Sequence, residues 1–253
     1  MHPEVYYHIF ANPAGAAIAK EQIEKITRFI PQARIHCGVI AADRDAASDL
    51  MNHLESISTV EVFVQAAAGN EWVTLAKLHE DCRERWPARQ PVLYAHTKGA
   101  YSASRQPGIV PAWREWMEYF NFFRYEDALR ALEKGYSVYG FDLWLNPRRP
   151  LLRRLGFRPR FFIFSGNYWW STAGAIRRIP LTGIDREVRH SAETQFVARI
   201  PRLRPFDALQ LIGLPSIPGG AYTNYNDDFL HFPELQEKAG VMEEMRATLR
   251  RVS

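Results

Sequence analysis

Apolar and polar positions alternate along the first hundred residues in a rhythm that predicts an α/β fold. Short apolar runs predict strands at Val5–Ala11, Ile35–Ala41, Val60–Gln65 and Pro91–Ala95. Between them, apolar residues at three- and four-residue spacing predict helices over Ala16–Phe29, Ala46–Leu54 and Glu71–Trp86. Such repetition builds a mostly parallel sheet with helices on its faces. Farther along, Trp113, Trp116, Met117, Phe120 and Phe123 mark the buried stripe of a long helix over Pro111–Lys134, and read as core. Strands at Tyr136–Leu145 and Phe161–Phe164 follow, then helices over Trp170–Arg178 and Glu187–Ala198. Beyond Pro201 prolines and glycines thicken, at Pro215, Pro218, Gly219 and Gly220, before an amphipathic helix over Pro233–Arg250. The expected fold class is α/β: one Rossmann-like, mostly parallel sheet flanked by helices, with an irregular carboxyl-terminal third. One domain over residues 1–253 is expected, with no repeat and no linker.

Composition narrows the class. With 253 residues, 47% of them apolar, the chain can bury a large core. No apolar run approaches the roughly 20 residues that span a bilayer. The start, Met1-His-Pro-Glu-Val, lacks the regions of a signal peptide, so a cytoplasmic location is expected. Cys37 and Cys82 lie in unrelated contexts, and neither a disulfide framework nor a structural zinc site is expected. The net charge of +4 is modest, yet Arg148, Arg149, Arg153, Arg154, Arg158 and Arg160 crowd together among leucines. That segment suits peripheral contact with anionic lipid at the inner face of a membrane, or a polyanionic acceptor, and equally a solvated loop. Nucleic acid is not an expected partner, because no recognised binding module surrounds the run.

Chemistry concentrates in three places. In Pro91-Val-Leu-Tyr-Ala-His-Thr-Lys-Gly99 an apolar strand ends abruptly in His96, Thr97, Lys98 and Gly99. A point charge, a hydroxyl and an approachable backbone beyond a strand's carboxyl end suit an anionic diphosphate; a plain strand exit with a solvated lysine is the bland reading. In Phe164-Ser165-Gly166-Asn167-Tyr168-Trp169-Trp170 aromatics end in a small-residue turn. Gly166 permits close approach, Asn167 both donates and accepts, and an indole face suits a pyranose ring, unless the tryptophans are core. In Asp185–Glu193, Arg189 and Glu193 stand one helical turn apart, as a general base with its positioning cation or as a surface ion pair. Asn70 reads as a helix cap beside Glu71, which could reach a base or ribose hydroxyl. Asp43-Arg44-Asp45 and Asp227-Asp228 could suggest a divalent metal; for the first, a helix cap is the simpler account, and the second is a weak acidic pair.

In order along the chain, Tyr7-His8, Glu71-Trp72 with Thr74-Leu75, Tyr94–Gly99, Trp113-Arg114, Ser165–Trp170, and Arg189 with Glu193 resemble a family of bacterial glycosyltransferases with the A-type nucleotide-sugar fold. The likeness spans most of residues 5–200, and His-Thr-Lys-Gly and Gly-Asn-Tyr-Trp-Trp are its specific strings. It implies an enzyme of polysaccharide biosynthesis that moves a sugar from a nucleotide-sugar donor to a glycan or lipid-linked acceptor of the cell envelope. It implies a nucleotide-binding half over about residues 1–100, a sugar and acceptor half over about 101–205, and an extension over 206–253. By motif order, Glu193, Lys98 and His96 would be catalytic, with Glu193 the general base. His8, Glu71, Thr97, Gly99 and Arg189 would bind the donor, and Gly166, Asn167, Trp169 and Trp170 would frame sugar and acceptor. A-type enzymes commonly hold a metal on Asp-x-Asp where this chain has His96-Thr97-Lys98. Lys98 is therefore expected to take over the charge neutralisation, and a divalent manganese or magnesium is not favoured. The competing reading is a non-catalytic module that binds a nucleotide sugar or a glycan. The stereochemical course, inverting or retaining, is left open.

Overall fold

The computed structural model describes residues 2–100, 109–145, 162–164, 166–188, 191–213 and 238–250. Strands β1 (Glu4–Phe10), β2 (Arg34–Ile40), β3 (Val60–Ala66) and β4 (Pro91–His96) alternate with helices α1 (Pro13–Phe29), α2 (Arg44–Glu55) and α3 (Trp72–Glu84). These follow the sequence expectation, with ends displaced by a few residues. α1 begins earlier than its apolar periodicity because Asn12 caps it, accepting from Gly15 N at 2.7 Å, and Pro13 fits the first turn. Asp43 caps α2 by accepting from Ala46 N at 2.8 Å, which accounts for the Asp-x-Asp pair structurally.

The main sheet has seven strands in the order β3-β2-β1-β4-β8-β5-β9, with β5 at Val138–Gly140, β8 at Trp169–Thr172 and β9 at Pro205–Asp207. Strands β3, β2, β1 and β4 are parallel, β8 is antiparallel to both β4 and β5, and β5 is parallel to β9. Six strands therefore share one direction. Residues of β1 alternate between the faces: Val5, Tyr7 and Ile9 pack with α1 and α2, whereas Tyr6 packs with Leu75, Leu78 and Cys82 of α3. Cys37 and Cys82 lie buried in these two separate clusters, and burial pushes both thiols up.

Four expected elements change. Trp170–Arg178 is not one helix, because β8 takes Trp169–Thr172 and only Ala173–Ile176 is helical, capped by Thr172. Pairing between two strands overrides the local helical pattern, and the adjacent indoles go to opposite faces of the sheet. The strand expected over Tyr136–Leu145 breaks into β5 and β6 (Leu143–Leu145), and β6 pairs with β7 (Phe162–Phe164) in a separate ribbon. Asp142 turns there with φ 54°, and the Asp207 carboxylate accepts from Asp142 N at 3.1 Å and Leu143 N at 3.0 Å. The long aromatic helix becomes α4 (Ile109–Glu118), a π-helical turn (Tyr119–Phe123) and α5 (Tyr125–Glu133). Side chains take its carbonyls: Trp170 Nε1 donates to Asn121 O at 2.9 Å, and Asn121 Nδ2 to Met117 O at 2.9 Å. The expected Glu187–Ala198 helix is reduced to Ser191–Gln195 and a 3-10 turn at Val197–Arg199, Glu187 N being held instead by Asp185 Oδ1 at 3.0 Å. In the tail the described residues form a 3-10 turn at Ala239–Met242 and a helix at Glu243–Arg250. Among the described residues no helix is long and apolar enough to cross a membrane.

Ser165, Arg189, Pro215–Gly220, Asp227, Asp228, the polar segment Tyr101–Gly108 and the arginine cluster Arg148–Arg160 lie outside the described residues.

Candidate functional site

Between β1 and β4 the strand order reverses, since β2 and β3 extend the sheet on one side and β4 on the other. Beyond the carboxyl ends of parallel strands, such a switch point leaves a crevice, because the following connections leave in opposite directions. The crevice here is a cleft of about 300 Å³ lined by His8 and Phe10 of β1, Gly69–Glu71 before α3, His96 at the end of β4 with Thr97–Ala100 after it, and Glu193. His8, Glu71, His96, Thr97, Lys98, Gly99 and Glu193, distant in sequence, meet in this one space.

Backbone bonds hold the Lys98 loop against the end of β1. Thr97 N donates to His8 O at 3.0 Å, and Phe10 N donates to Thr97 Oγ1 at 2.9 Å. Asn12, besides capping α1, donates from Nδ2 to Ala100 O at 2.9 Å. Gly99 has φ 93°, a conformation that favours glycine. From beneath, Tyr168 Oη donates to His96 O and accepts from Gln22 Nε2 at 2.8 Å. Gln22 also donates to Glu118 Oε1 at 2.6 Å. Glu118 is enclosed between Lys25 Nζ at 2.6 Å and Arg114 Nε at 3.3 Å. Burial pushes the Glu118 carboxyl up and would pull Lys25 down; for Lys25 the paired carboxylates prevail, holding its ammonium above the usual range.

Two pairs of titratable side chains face the cleft. Lys98 Nζ lies 3.9 Å from Glu193 Oε1 and 4.5 Å from the centroid of the Trp113 ring. The indole face gives the ammonium a local seat through a cation–π contact. In the other pair, His96 Nδ1 lies 3.8 Å from Glu71 Oε1. Glu71 Oε2 accepts from Tyr94 Oη at 2.8 Å and from Asn167 Nδ2 at 2.7 Å. His96 Nε2 lies 2.8 Å from Gly166 O, and since a carbonyl only accepts, Nε2 carries the hydrogen. His8 Nδ1 meets Thr74 Oγ1 at 3.0 Å. Burial, opposed by Glu71 and assisted by His96, lowers the His8 pKa to about 4, so at neutral pH it is an uncharged imidazole.

Gly166, Asn167, Trp169 and Trp170 are placed behind the cleft wall. Asn167 is buried, with Nδ2 on Glu71 and Oδ1 accepting from Trp169 Nε1 at 3.0 Å. Trp169 stacks between Tyr94 and Phe196, and Trp170 is enclosed on the opposite face of the sheet. Neither indole presents a face to the cleft, so in this structure they pack instead of offering a platform to a sugar. Phe10, Gly69 and Ala100 also line the cleft, and Tyr94, Thr74 and Trp113 support it, without having been singled out as site residues. Tyr94 could have been: two residues before His96 on one strand, it shares that residue's face.

A divalent cation would need several oxygen or nitrogen donors converging on one point. Among the described residues no group of three or more His, Cys, Asp or Glu could hold a metal ion. Asp43 is spent on capping α2, and Glu71 Oε2 already accepts two hydrogen bonds.

A family model described as a domain of unknown function (DUF8361) matches residues 6–120. No curated protein matches the chain. Among solved structures, it is similar to a 4-diphosphocytidyl-2C-methyl-D-erythritol synthase from Anaerococcus prevotii, at 10% identity and TM-score 0.38 over 81% of this chain and 86% of that one. An active-site mutant of LgtC matches at 9% identity and TM-score 0.35 over 77% and 71% of the respective chains. The galactosyltransferase LgtC in complex with donor and acceptor sugar analogues matches at 10% identity and TM-score 0.33 over 72% and 62%. At these scores the likenesses carry no argument about activity; the seven-stranded α/β fold stands on the strand pairing itself.

Proposed function

We propose that this protein transfers a sugar from a nucleotide-sugar donor to a glycan or lipid-linked acceptor of the cell envelope. The observation that carries the reading is the convergence of Lys98, Glu193, His8, Glu71, His96, Thr97 and Gly99 on one cleft at the switch point of a parallel sheet. In this reading, supported also by the family resemblance of these motifs, the diphosphate lies at the Lys98 loop and the nucleotide on the His8 and Glu71 side. In an inverting course, the acceptor oxygen attacks the anomeric carbon while its proton passes to Glu193. The bond from that carbon to the diphosphate breaks, and its electron pair stays on the departing phosphate oxygen. Lys98 answers the charge that develops there, as a preorganised ammonium worth more in a cleft than in open water. The resemblance would add Arg189, which lies outside the described residues, to the donor-binding groups. Trp169 supports the cleft from behind, stacked on Tyr94.

The test is turnover of a panel of uridine, guanosine and cytidine nucleotide sugars by the full chain, read as nucleotide release with and without envelope glycan. Glu193→Gln is expected to lower kcat by about 10²–10⁴-fold, the usual contribution of a general base, while the donor still binds. Turnover at the native rate by Glu193→Gln would remove Glu193 from the mechanism. Binding without any turnover would favour the non-catalytic module.

A further inference from the structure

The turn between β7 and β8 touches both members of the pair on the Glu71 wall. Gly166 O receives the Nε2 hydrogen of His96 at 2.8 Å, and the next residue, Asn167, donates to Glu71 Oε2 at 2.7 Å. Both turn residues are left-handed, with φ 81° at Gly166 and 58° at Asn167, and Asn is among the few side chains that tolerate this. The amide is fixed in turn, because its oxygen accepts from Trp169 Nε1 at 3.0 Å, which settles which end of Asn167 faces Glu71. With Nε2 and Oε2 engaged, the atoms of the pair that approach each other are His96 Nδ1 and Glu71 Oε1, 3.8 Å apart beside the cleft. A carboxylate oxygen and an imidazole nitrogen converging this way favour a proton on the ring, or a donor group of a ligand, between them.

We propose that Gly166 and Asn167 are positioning residues. The carbonyl of the first sets the His96 tautomer and the amide of the second sets the Glu71 rotamer. His96 and Glu71 thereby act as one couple that accepts a hydrogen bond from a ligand hydroxyl. The ligand half of this statement rests on the sugar-transfer reading; the positioning half does not. Besides Glu71, the titratable or charged groups around His96 among the described residues include Tyr94 on its own strand, Tyr168 against its ring edge, His8 on β1, and Lys98 and Glu193 around the cleft.

The test follows His96 in the ligand-free full chain by long-range proton–nitrogen NMR of the imidazole. Neutral His96 should show the hydrogen on Nε2. Glu71→Gln should lower its titration midpoint by about one pH unit, because a nearby carboxylate stabilises the imidazolium. Asn167→Ala should lower it in the same direction, and the double variant should fall no further than Glu71→Gln alone. A merely structural Asn167 would reduce stability without moving the midpoint. If Asn167→Ala does not fold, Tyr94→Phe, which removes the other donor to the same oxygen, is read in the same way. A hydrogen on Nδ1, a native midpoint in these variants, or additive shifts would overturn the positioning. Binding of uridine diphosphate glucose and of its analogues deoxygenated on the ribose or on the glucose then tests the ligand half. A native preference for the full set of hydroxyls should disappear in Glu71→Gln, and a preference that survives would overturn it. NMR coupling with no nucleotide-sugar binding would sink the transfer reading and leave the positioning intact. Binding with an unmoved His96 would do the reverse.

Discussion

Gly15→Ala sets two physical effects against each other at the point where α1 meets the cleft. Gly15 lies in the first turn of α1, and replacing glycine by alanine in a helix ordinarily gains about 0.5–1 kcal/mol. Here the added Cβ would stand 1.9 Å from Phe10 O and 3.1 Å from the Ala100 Cβ, against the 3.4 Å at which ordinary contact begins. The closest atom is a backbone carbonyl at the end of β1, so no rotamer change relieves the overlap, and the helix must retreat from the strand. Overpacking of this kind costs about 1–3 kcal/mol, enough to exceed the helical gain. The expected net effect is a loss of about 1–2 kcal/mol. It is read as a lower urea midpoint with an unchanged slope. Because Asn12 ties α1 to Ala100, the Lys98 loop should shift too, weakening the nucleoside diphosphate binding proposed for it. Gly183→Ala is the control: φ is +70° and nothing lies within 4 Å, so only the backbone penalty of about 1–2 kcal/mol applies, with no effect on binding. A Gly15→Ala protein at least as stable as the native one would refute the close-approach argument.

Two further outcomes follow from burial. The folded protein holds His8 neutral down to about pH 4, whereas the unfolded chain takes up a proton below its ordinary value of 6.5. That contribution to stability is thus complete above pH 6.5 and lost as pH falls towards 4, amounting to about 3 kcal/mol. Urea denaturation of His8→Gln at pH 7 and pH 4.5 should show a visibly smaller acid loss; an unchanged loss would mean that His8 is not the group responsible. Trp170→Ala removes a fully buried indole whose Nε1 satisfies Asn121 O, and should cost about 3–5 kcal/mol. Its affinity for nucleoside diphosphate should stay native at a temperature where it is folded, and a large loss of affinity would place Trp170 at the ligand instead.

The first hundred residues were legible because each parallel strand there is a short apolar run, each helix has its own stripe, and α1 and α2 carry side-chain caps. The later errors share one cause, partners far away in sequence. Asp142 turns because Asp207 brackets its amide, the aromatic helix opens where Trp170 reaches Asn121, and Trp169–Thr172 is strand because β4 and β5 flank it. None of these partners can be read from local spacing. At the site, Glu71, His96 and Lys98 were recognisable as chemistry-bearing types at element ends, Glu193 as a carboxylate one helical turn from Arg189, and His8 through the resemblance, and they do share a cleft. Two adjacent tryptophans gave no sign that both would be enclosed. Nor did the Gly-Asn turn show that it would grip Glu71 and His96 from behind.

The central claim, that Lys98 binds a diphosphate in this cleft, is tested most directly by thermal shift. The full chain and Lys98→Ala would each be heated with uridine, guanosine and cytidine diphosphates and their sugars, with and without manganese. At a hundred times its dissociation constant, a ligand stabilises the folded state by about 2.7 kcal/mol, an easily read displacement. The account predicts stabilisation of the native chain without manganese and its loss in Lys98→Ala. Equal stabilisation of both proteins, or stabilisation only with manganese, would contradict it.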